Sequence, residues 1–178
     1  MSYGPWREFF RMMRSEVRAA KGIRIKLVIL LYRLSSYGAN KGGLTYAITF
    51  PVNVLYRLYS EFLLGIELPV RVVAGPGLLI YHGHGLVVHV DTIIGARCTL
   101  RQGVTLGNKI TRGGVVTGAP VIGDDVEFGA GSVVLGPISI GSRVSVGACT
   151  AVTKDVPDDS VVVGMGMRFI NQKKEGVC

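Results

Sequence analysis

The three histidines of this 178-residue chain, His82, His84 and His89, all fall within the stretch LLIYHGHGLVVHV at 78–90. Imidazole changes its protonation state near neutral pH, which suits a general base, and neutral imidazole is also a common ligand of zinc. The cluster is therefore compatible with a catalytic base, a metal site or side chains without a chemical role. Which of these applies depends on the elements that position the histidines.

From residue 74 onward, apolar residues recur every six positions. The series is Ala74 and Ile80, then Val88, Ile94, Leu100 and Leu106, then Ile122, Phe128, Val134, Ile140, Val146 and Val152. A period of six fits neither a long helix nor a long strand, but hexapeptide periodicity is typical of a parallel β-helix. Three short strands then make one triangular coil of about 18 residues. The pattern predicts a β-helix domain over 67–170.

The six-residue period is interrupted at two places. The step from Ile80 to Val88 is eight residues long, so two extra residues bulge from the coil in the segment that contains His82 and His84. The step from Leu106 to Ile122 is sixteen residues long, so most of GNKITRGGVVTGAP leaves the coil as a loop. Interruptions of a regular wall are where functional side chains concentrate.

The first 66 residues differ from the rest in charge and pattern. They hold ten Lys and Arg and three Glu, a net charge of +7, whereas 67–178 are nearly neutral. We predict a helical region over 1–66, a β-helix domain over 67–170 and a C-terminal tail over 171–178. Within the helical region, one helix covers IRIKLVILLYRLSS, NKGG at 40–43 interrupts the chain, and a further helix begins or kinks at Pro51.

The first helix of this region is predicted to be amphipathic. Four arginines spaced four, three and four residues apart form one stripe on it: Arg7, Arg11, Arg14 and Arg18. This basic stripe is consistent with a solvated helical cap, or with contact to an anionic membrane surface or a polyanionic glycan. Nucleic acid is not expected, because no aromatic stacking platform or zinc module accompanies the stripe.

Cysteine usage and the N-terminus point to the cytoplasm. Cys98, Cys149 and Cys178 are far apart and form no CxxC motif, so we expect reduced thiols, with Cys98 and Cys149 as small packing residues. The N-terminus has charges where a secretion signal needs an apolar core, and no run of apolar residues is long enough to span a bilayer alone.

A series of motifs resembles the serine acetyltransferase family of hexapeptide-repeat acyltransferases. In order they read GIELP, LLIYHGHGLVV, IIGARCTLRQGVTLGN, PVIGDDVEFGAGSVVLG, VTKDVP and GMR, and the resemblance covers about residues 60–170. The family includes a branch that O-acetylates capsular and exopolysaccharides. The resemblance implies a mainly β fold, a left-handed parallel β-helix with an N-terminal α-helical cap, assembled as a homotrimer. It also implies acetyl-CoA as the acyl donor and no metal.

The resemblance assigns roles to individual residues. His82 matches the family's catalytic base, and Glu67 falls where the family has the aspartate that pairs with it. Five positions match residues around coenzyme A, namely Gly107, Ala130, Ala148, Lys154 and Arg168. A carboxylate on one imidazole nitrogen would fix the tautomer of the base.

Two departures from the family bear on the acceptor. Tyr81 stands where serine acetyltransferases have an aspartate before the base, and Gly118-Ala119-Pro120 replaces their Arg-His-Pro. The missing side chains are those that hold the amino and carboxylate groups of serine. We therefore expect a sugar hydroxyl as acceptor, with Tyr81 and His84 lining its pocket.

The predicted function is an acetyl-CoA-dependent sugar O-acetyltransferase of surface polysaccharide biosynthesis. Serine O-acetylation is one alternative, and a non-catalytic trimeric scaffold is another. A zinc enzyme of the same architecture is a further alternative, but zinc needs three protein ligands in a catalytic site. No histidine lies outside 78–90 to supply a distant one.

Overall fold

The computed structural model describes residues 6–164. Three α-helices come first, α1 (Trp6–Ala19), α2 (Ile23–Lys41) and α3 (Gly43–Arg57), and a π-helical segment (Leu58–Leu63) continues α3. None of these helices has the length and apolar character needed to cross a membrane. Arg168 and the predicted tail at 171–178 lie outside the described residues.

The described part of the chain then forms fourteen short strands. They are β1 (Ile66–Glu67), β2 (Val73–Ala74), β3 (Leu79–Tyr81), β4 (Leu86–Val88), β5 (Ile93–Ile94), β6 (Thr99–Arg101), β7 (Thr105–Gly107), β8 (Val121–Ile122), β9 (Glu127–Phe128), β10 (Val133–Leu135), β11 (Ser139–Ile140), β12 (Ser145–Val146), β13 (Ala151–Val152) and β14 (Val161–Val162). Every third strand joins the same sheet, apart from the last one. Sheet A is β1-β4-β7-β10-β13, sheet B is β2-β5-β8-β11, and sheet C is β3-β6-β9-β12-β14.

All strand pairs are parallel, so the chain winds from sheet A to B to C and back, as a parallel β-helix must. We name the edges of this prism by the sheets they join: the AB, BC and CA edges. The predicted β-helix with an N-terminal helical region is confirmed. All twelve positions of the six-residue series are buried, with at most 6% of their surface exposed.

Both interruptions of the period leave the coil as predicted. The two-residue excess before β4 lies in the turn His82–Gly85 on the CA edge. The long loop leaves after β7 and returns at Pro120, whose carbonyl accepts from the Ile93 amide. A single antiparallel bridge between Ile110 and Val116 closes that loop on itself.

The BC edge carries side chains where backbone conformation favours glycine. Arg97, Asp125, Arg143 and Asp159 all have φ between 56° and 59° and succeed one another along this edge. Arg97 binds Asp125 through two short hydrogen bonds, and Arg143 binds Asp159 likewise. The Arg97 guanidinium holds the pKa of Asp125 below its usual range. Opposite charges thus alternate along an exposed edge.

One cysteine prediction is right and one is wrong. Cys98 is fully buried in the β-helix core, and burial raises the pKa of its thiol to about 11. Cys149 is exposed on the CA edge with φ 55°, so it is not a packing residue.

The third helix differs from its prediction. It begins at Gly43 and contains Pro51 in its interior, so it does not begin at the proline. It packs closely on α2, where a Cβ added to Gly38 would overlap the Thr49 hydroxyl. Gly42, with φ 68°, separates α2 from α3, so the interruption predicted at 40–43 is found.

The first helix carries a buried charge that its amphipathic pattern did not predict. Phe9 and Met13 are buried on α1 as expected, but so is Glu16, which forms a two-pronged ion pair with the fully buried Arg33 of α2. Arg33 also donates to the carbonyls of 74–75, and Glu16 accepts from the amides of 77–78. This pair therefore fastens α1 and α2 to the first coil.

We expect Glu16→Ala to lower the free energy of unfolding by about 3 kcal/mol, because it leaves the Arg33 guanidinium buried without its carboxylate. Urea unfolding followed by circular dichroism measures this change. Glu8→Ala, at an exposed glutamate of the same helix, is the control and should change stability by less than about 0.5 kcal/mol. Equal effects of the two substitutions would contradict the role of the buried pair.

Candidate active site

The turn His82–Gly85 stacks between neighbouring coils on the CA edge. The Gly85 amide donates to the Gly65 carbonyl below at 2.8 Å, and the His84 carbonyl accepts from the Gly103 amide above at 2.9 Å. The backbone of the bulge is thus held on both sides. A turn fixed in this way can present its side chains in a defined orientation.

His82 sits in an unusual backbone conformation at the start of this turn. Its φ is 65°, and the Gly83 amide donates across it to the Tyr81 carbonyl at 2.8 Å, as in a γ-turn. Side chains rarely adopt this region, and residues that do so cluster at functional sites. The His82 imidazole is exposed and makes no hydrogen bond within residues 6–164.

Gly83 shows how tightly the turn rests on the coil beneath. Its φ is 66°, and an added Cβ would lie 2.7 Å from the Cδ1 atom of Ile66. Only glycine fits between the turn and β1. The position of His82 is therefore coupled to the position of β1.

Glu67 lies at the same edge as His82 but is not bonded to it. Register pairs Ile66 with Leu86 and Glu67 with Val87, so Glu67 stands just past the edge on sheet A. Its side chain is exposed, and neither a hydrogen bond nor an ion pair within 4.0 Å joins it to His82. The structure thus brings the predicted pair to one edge while leaving a gap between them.

His84 has a different environment from His82. Its Nδ1 atom lies 3.2 Å from the Leu64 carbonyl oxygen, which can only accept, so Nδ1 carries the proton. This hydrogen bond ties the turn to the exit of the helical region. The Nε2 atom of the neutral ring is left as an acceptor.

A cavity of about 570 Å³ opens beside these histidines. It is lined by Tyr81, His82 and His84 from the β-helix, by residues 21–25 from the α1–α2 connection, and by Leu63 and Leu64. The β-helix residues were predicted from sequence. The contribution of 21–25 was not, because no periodicity relates a helix connection to a particular β-helix edge.

Tyr81 lies between two cationic side chains. Register places Arg101 directly above it, with the guanidinium carbon 5.2 Å from the ring centroid. Lys21 Nζ lies 5.9 Å from the same centroid. The Arg101 contact could have been found from sequence, since one coil plus the two-residue bulge separates it from Tyr81.

Two of the predicted coenzyme A residues extend the same edge. Successive carbonyls of His84, Gln102 and Ala130 accept from the residue one coil above, Gly103, Gly131 and Cys149 respectively, at 2.9 Å each. Ala148 precedes Cys149 and continues the line. The CA edge therefore runs from His84 past Gln102 to Ala130 and Ala148.

The remaining predicted residues lie on the opposite edge of sheet A. Gly107 ends β7 beside Leu135 at the AB edge, where the long loop departs. Lys154 is exposed and follows β13 at the same edge. Within one chain, sheet A separates them from His82. Arg168, the fifth predicted residue, lies outside the described residues.

His89 belongs to the AB edge and not to the cavity. Its Nε2 atom lies 3.3 Å from Asn108 Nδ2, and its Nδ1 atom accepts from the Asp91 amide at 3.2 Å. Residues 6–164 contain no group of three His, Cys, Asp or Glu side chains arranged to hold a metal ion.

Two family models match this chain. The model "Bacterial transferase hexapeptide (six repeats)" matches residues 119–154, and the model "Hexapeptide repeat of succinyl-transferase" matches residues 90–111. Both matched segments fall within the β-helix. Their periodicity is the one that places the core residues.

Individual relatives extend the likeness to most of the chain. The Escherichia coli K12 protein "Putative colanic acid biosynthesis acetyltransferase WcaB" is 35% identical over 156 residues, which is 85% of this chain and 94% of that protein. A serine acetyltransferase of Synechococcus elongatus is 40% identical over 111 residues, 62% of this chain but only 45% of the relative. The chain thus spans less than half of that relative.

A solved structure is similar across nearly all of the chain. Serine acetyltransferase isoform 3 from Entamoeba histolytica, solved in complex with cysteine, superposes with a TM-score of 0.76 at 25% identity, covering 95% of this chain and 62% of that one. The matched family models and the relative from Escherichia coli define the class of this protein. The chain belongs to the hexapeptide-repeat acyltransferase family and is an acetyltransferase, so the predicted enzyme class is confirmed.

Proposed function

We propose that this chain transfers acetyl from acetyl-CoA to a hydroxyl of a sugar, in the biosynthesis of a surface polysaccharide. The observation that carries the proposal is the exposed His82 imidazole, held in a strained turn at the wall of a 570 Å³ cavity. The likeness to a relative named for colanic acid biosynthesis, over nearly its whole length, supports a polysaccharide acceptor. We place the reaction in the cytoplasm, where acetyl-CoA is formed.

His82 acts as the general base in this proposal. As the acceptor oxygen bonds to the acetyl carbon, the hydroxyl proton passes to the His82 imidazole, and the carbon–sulfur bond then breaks. The imidazolium returns the proton to the departing sulfur, so coenzyme A leaves as a thiol. Glu67 orients His82 by accepting from its second nitrogen. Both side chains are exposed at the CA edge, so no packing contact prevents either from changing its rotamer.

The CA edge is suited to the pantetheine arm of the donor. Ala130 and Ala148 leave room along the edge, and backbone amides near Gly107 would stabilise the oxyanion that forms on the thioester. The exposed Lys154 ammonium would meet a phosphate of the nucleotide. Arg168 is proposed for the same task on the basis of the family resemblance.

We also propose a homotrimer, which the division of these residues between two edges supports. A cyclic trimer with sheet A facing the three-fold axis sets the CA edge of one subunit beside the AB edge of the next. His82 of one chain would then approach Gly107 and Lys154 of a second copy. The outward residues of sheet A support this packing because four of the five are uncharged: Val87, Thr105, Val133 and Ala151.

Peripheral contact with an anionic membrane is also proposed. Nine apolar side chains on α3 and the π-helical segment are exposed: Leu44, Tyr46, Ile48, Phe50, Val54, Leu55, Leu58, Phe62 and Leu63. The charged residues of this surface, Arg57 and Glu61, pair with each other. An apolar helical face beside a region of net charge +7 suits a lipid surface that carries negative charge.

His82→Asn should lower kcat for acetyl transfer by at least about 100-fold while leaving the KM for acetyl-CoA unchanged, because general-base catalysis contributes about 10²–10⁴-fold. Thiol release from acetyl-CoA, with a panel of sugars, oligosaccharides and L-serine, measures the rate and identifies the acceptor class. Glu127→Gln, at an exposed residue of sheet C, is the control. A rate retained in H82N would exclude this base, and activity on serine alone would assign the serine reaction.

Val133→Lys should dissociate the trimer and abolish transfer, because it places three like charges near the axis. Light scattering after gel filtration measures the mass, which should be about three times 19.1 kDa for the unaltered protein. Val121→Lys, at an exposed residue of sheet B, should leave the trimer intact. Trimers of V133K with normal activity would rule out sheet A as the contact.

The double variant Ile48→Glu, Leu55→Glu should lose binding to vesicles that contain phosphatidylglycerol, because buried apolar area contributes to interfacial affinity. Co-flotation with anionic and with zwitterionic vesicles measures this. Glu8→Gln is the control on the helical region. If the double variant instead changes the oligomeric state, the α3 surface is a subunit contact and the membrane proposal fails.

A further inference from the structure

Positive charge gathers around the cavity beside His82. Lys21 and Arg24 line the cavity, and Arg101 stands behind the Tyr81 ring that forms its wall. No Asp or Glu lines it. Among residues 6–164, no carboxylate lies within 4.0 Å of the nitrogens of these three side chains. They are therefore unneutralised cations beside a proposed catalytic base.

Three arginines on this fold pair with a carboxylate, whereas exposed basic residues such as Arg14 and Lys154 have no ion pair within residues 6–164. Arg97 and Arg143 on the BC edge each pair with a neighbouring aspartate, and the buried Arg33 pairs with Glu16. Each of these three arginines has a structural role and forms an ion pair with a carboxylate. What distinguishes the cavity is that three cations gather at it with no carboxylate in its lining, which favours a ligand that brings its own negative charge.

The cations also sit on a fixed support. Lys21 and Arg24 flank the short connection between α1 and α2, and both helices are fastened to the first coil by the Glu16–Arg33 pair. Arg101 is held in β6 in register with Tyr81. A charged group at the cavity therefore meets side chains whose backbones do not have to be reorganised.

We propose that the acceptor is an anionic sugar, one whose phosphate, diphosphate or carboxylate group is held by Lys21, Arg24 and Arg101 while a nearby hydroxyl meets His82. This inference rests on the proposed acetyl transfer and names the substrate class. Three sources share the chemistry: a uronic acid, a nucleotide-linked sugar and a lipid-diphosphate-linked sugar. Ile23 and Leu63, 79% and 70% exposed at the same cavity, give the apolar surface that a lipid chain or a sugar ring face would cover.

The phosphates of coenzyme A are a less suitable occupant for these cations. The proposed donor strip runs from His84 through Ala130 to Ala148, towards the later coils. The cavity lies on the other side, against the helical region. Donor and acceptor would thus approach His82 from opposite directions.

The test compares one acceptor sugar in neutral, carboxylate-bearing, nucleotide-linked and detergent-dispersed polyprenyl-diphosphate-linked forms. With the unaltered protein, the charged forms should have a kcat/KM at least tenfold above that of the neutral form. The form with the highest kcat/KM identifies which of the three kinds of anionic sugar is the acceptor. In Lys21→Gln, Arg24→Gln, the KM for the charged acceptor should rise at least tenfold. The KM for acetyl-CoA should stay within twofold.

Two control variants accompany the test. Lys21→Arg, Arg24→Lys keeps the charge and should retain most of the affinity, whereas a loss in this variant equal to that in K21Q/R24Q would overturn the charge argument. Arg71→Gln removes an exposed charge away from the cavity and should change nothing. A higher salt concentration should weaken the binding of the charged acceptors and leave the binding of the neutral one unaffected.

Equal kcat/KM for neutral and charged forms overturns the inference, as does a rise in the KM for acetyl-CoA in K21Q/R24Q. Calorimetric binding of the same acceptors separates this from a failure of the proposed function. Suppose that no sugar is acetylated, but that the charged forms still bind and K21Q/R24Q loses that binding. The anionic site is then supported, and acetyl transfer to these sugars is excluded. If charged forms do not bind, the anionic site falls.

Discussion

Each side of the prism must turn one apolar side chain inward every six residues, and the rest of the molecule depends on this constraint. Coils about 4.8 Å apart leave no space inside for anything but those side chains, and the flat walls outside are occupied by short strands. Insertions and varied side chains can be accommodated only at the edges, where the chain turns. The extra residues before β4 and the long loop after β7 are both edge insertions. Functional side chains on such a fold are therefore expected at its edges.

The helical region completes an edge that the β-helix alone would leave open to water. The Glu16–Arg33 pair removes two charges from solvent, which costs desolvation energy that the surrounding backbone hydrogen bonds offset. In return the pair fixes where the α1–α2 connection lies, and that connection forms one wall of the cavity. A purely apolar contact would hold the helices with less definition of register, because apolar packing has no preferred direction.

The sequence predicts the parts of this structure that periodicity governs. The burial of residues such as Phe128 and Val134 follows from the six-residue series, and the bulge around His82 follows from its interruption. The positions of Lys21 and Arg24 beside the cavity could not be predicted from the sequence, because the six-residue period does not extend to the connection between the helices. The burial of Glu16 could not be predicted for a similar reason. Its partner, Arg33, belongs to another helix, and its amide donors belong to a coil whose position does not follow from the helical pattern.

The separation of Gly107 from the CA edge has a physical cause. A thioester that lies along one edge of a triangular coil cannot reach the other two edges of that chain, yet the proposed transfer places a base, an oxyanion site and a phosphate contact around one thioester. Within one chain these groups lie on both sides of sheet A. A neighbouring copy can supply the missing side without altering the six-residue pattern, since it brings its own edge. The rigidity that makes the prism a precise scaffold is thus also the reason why one chain alone would make half of each site.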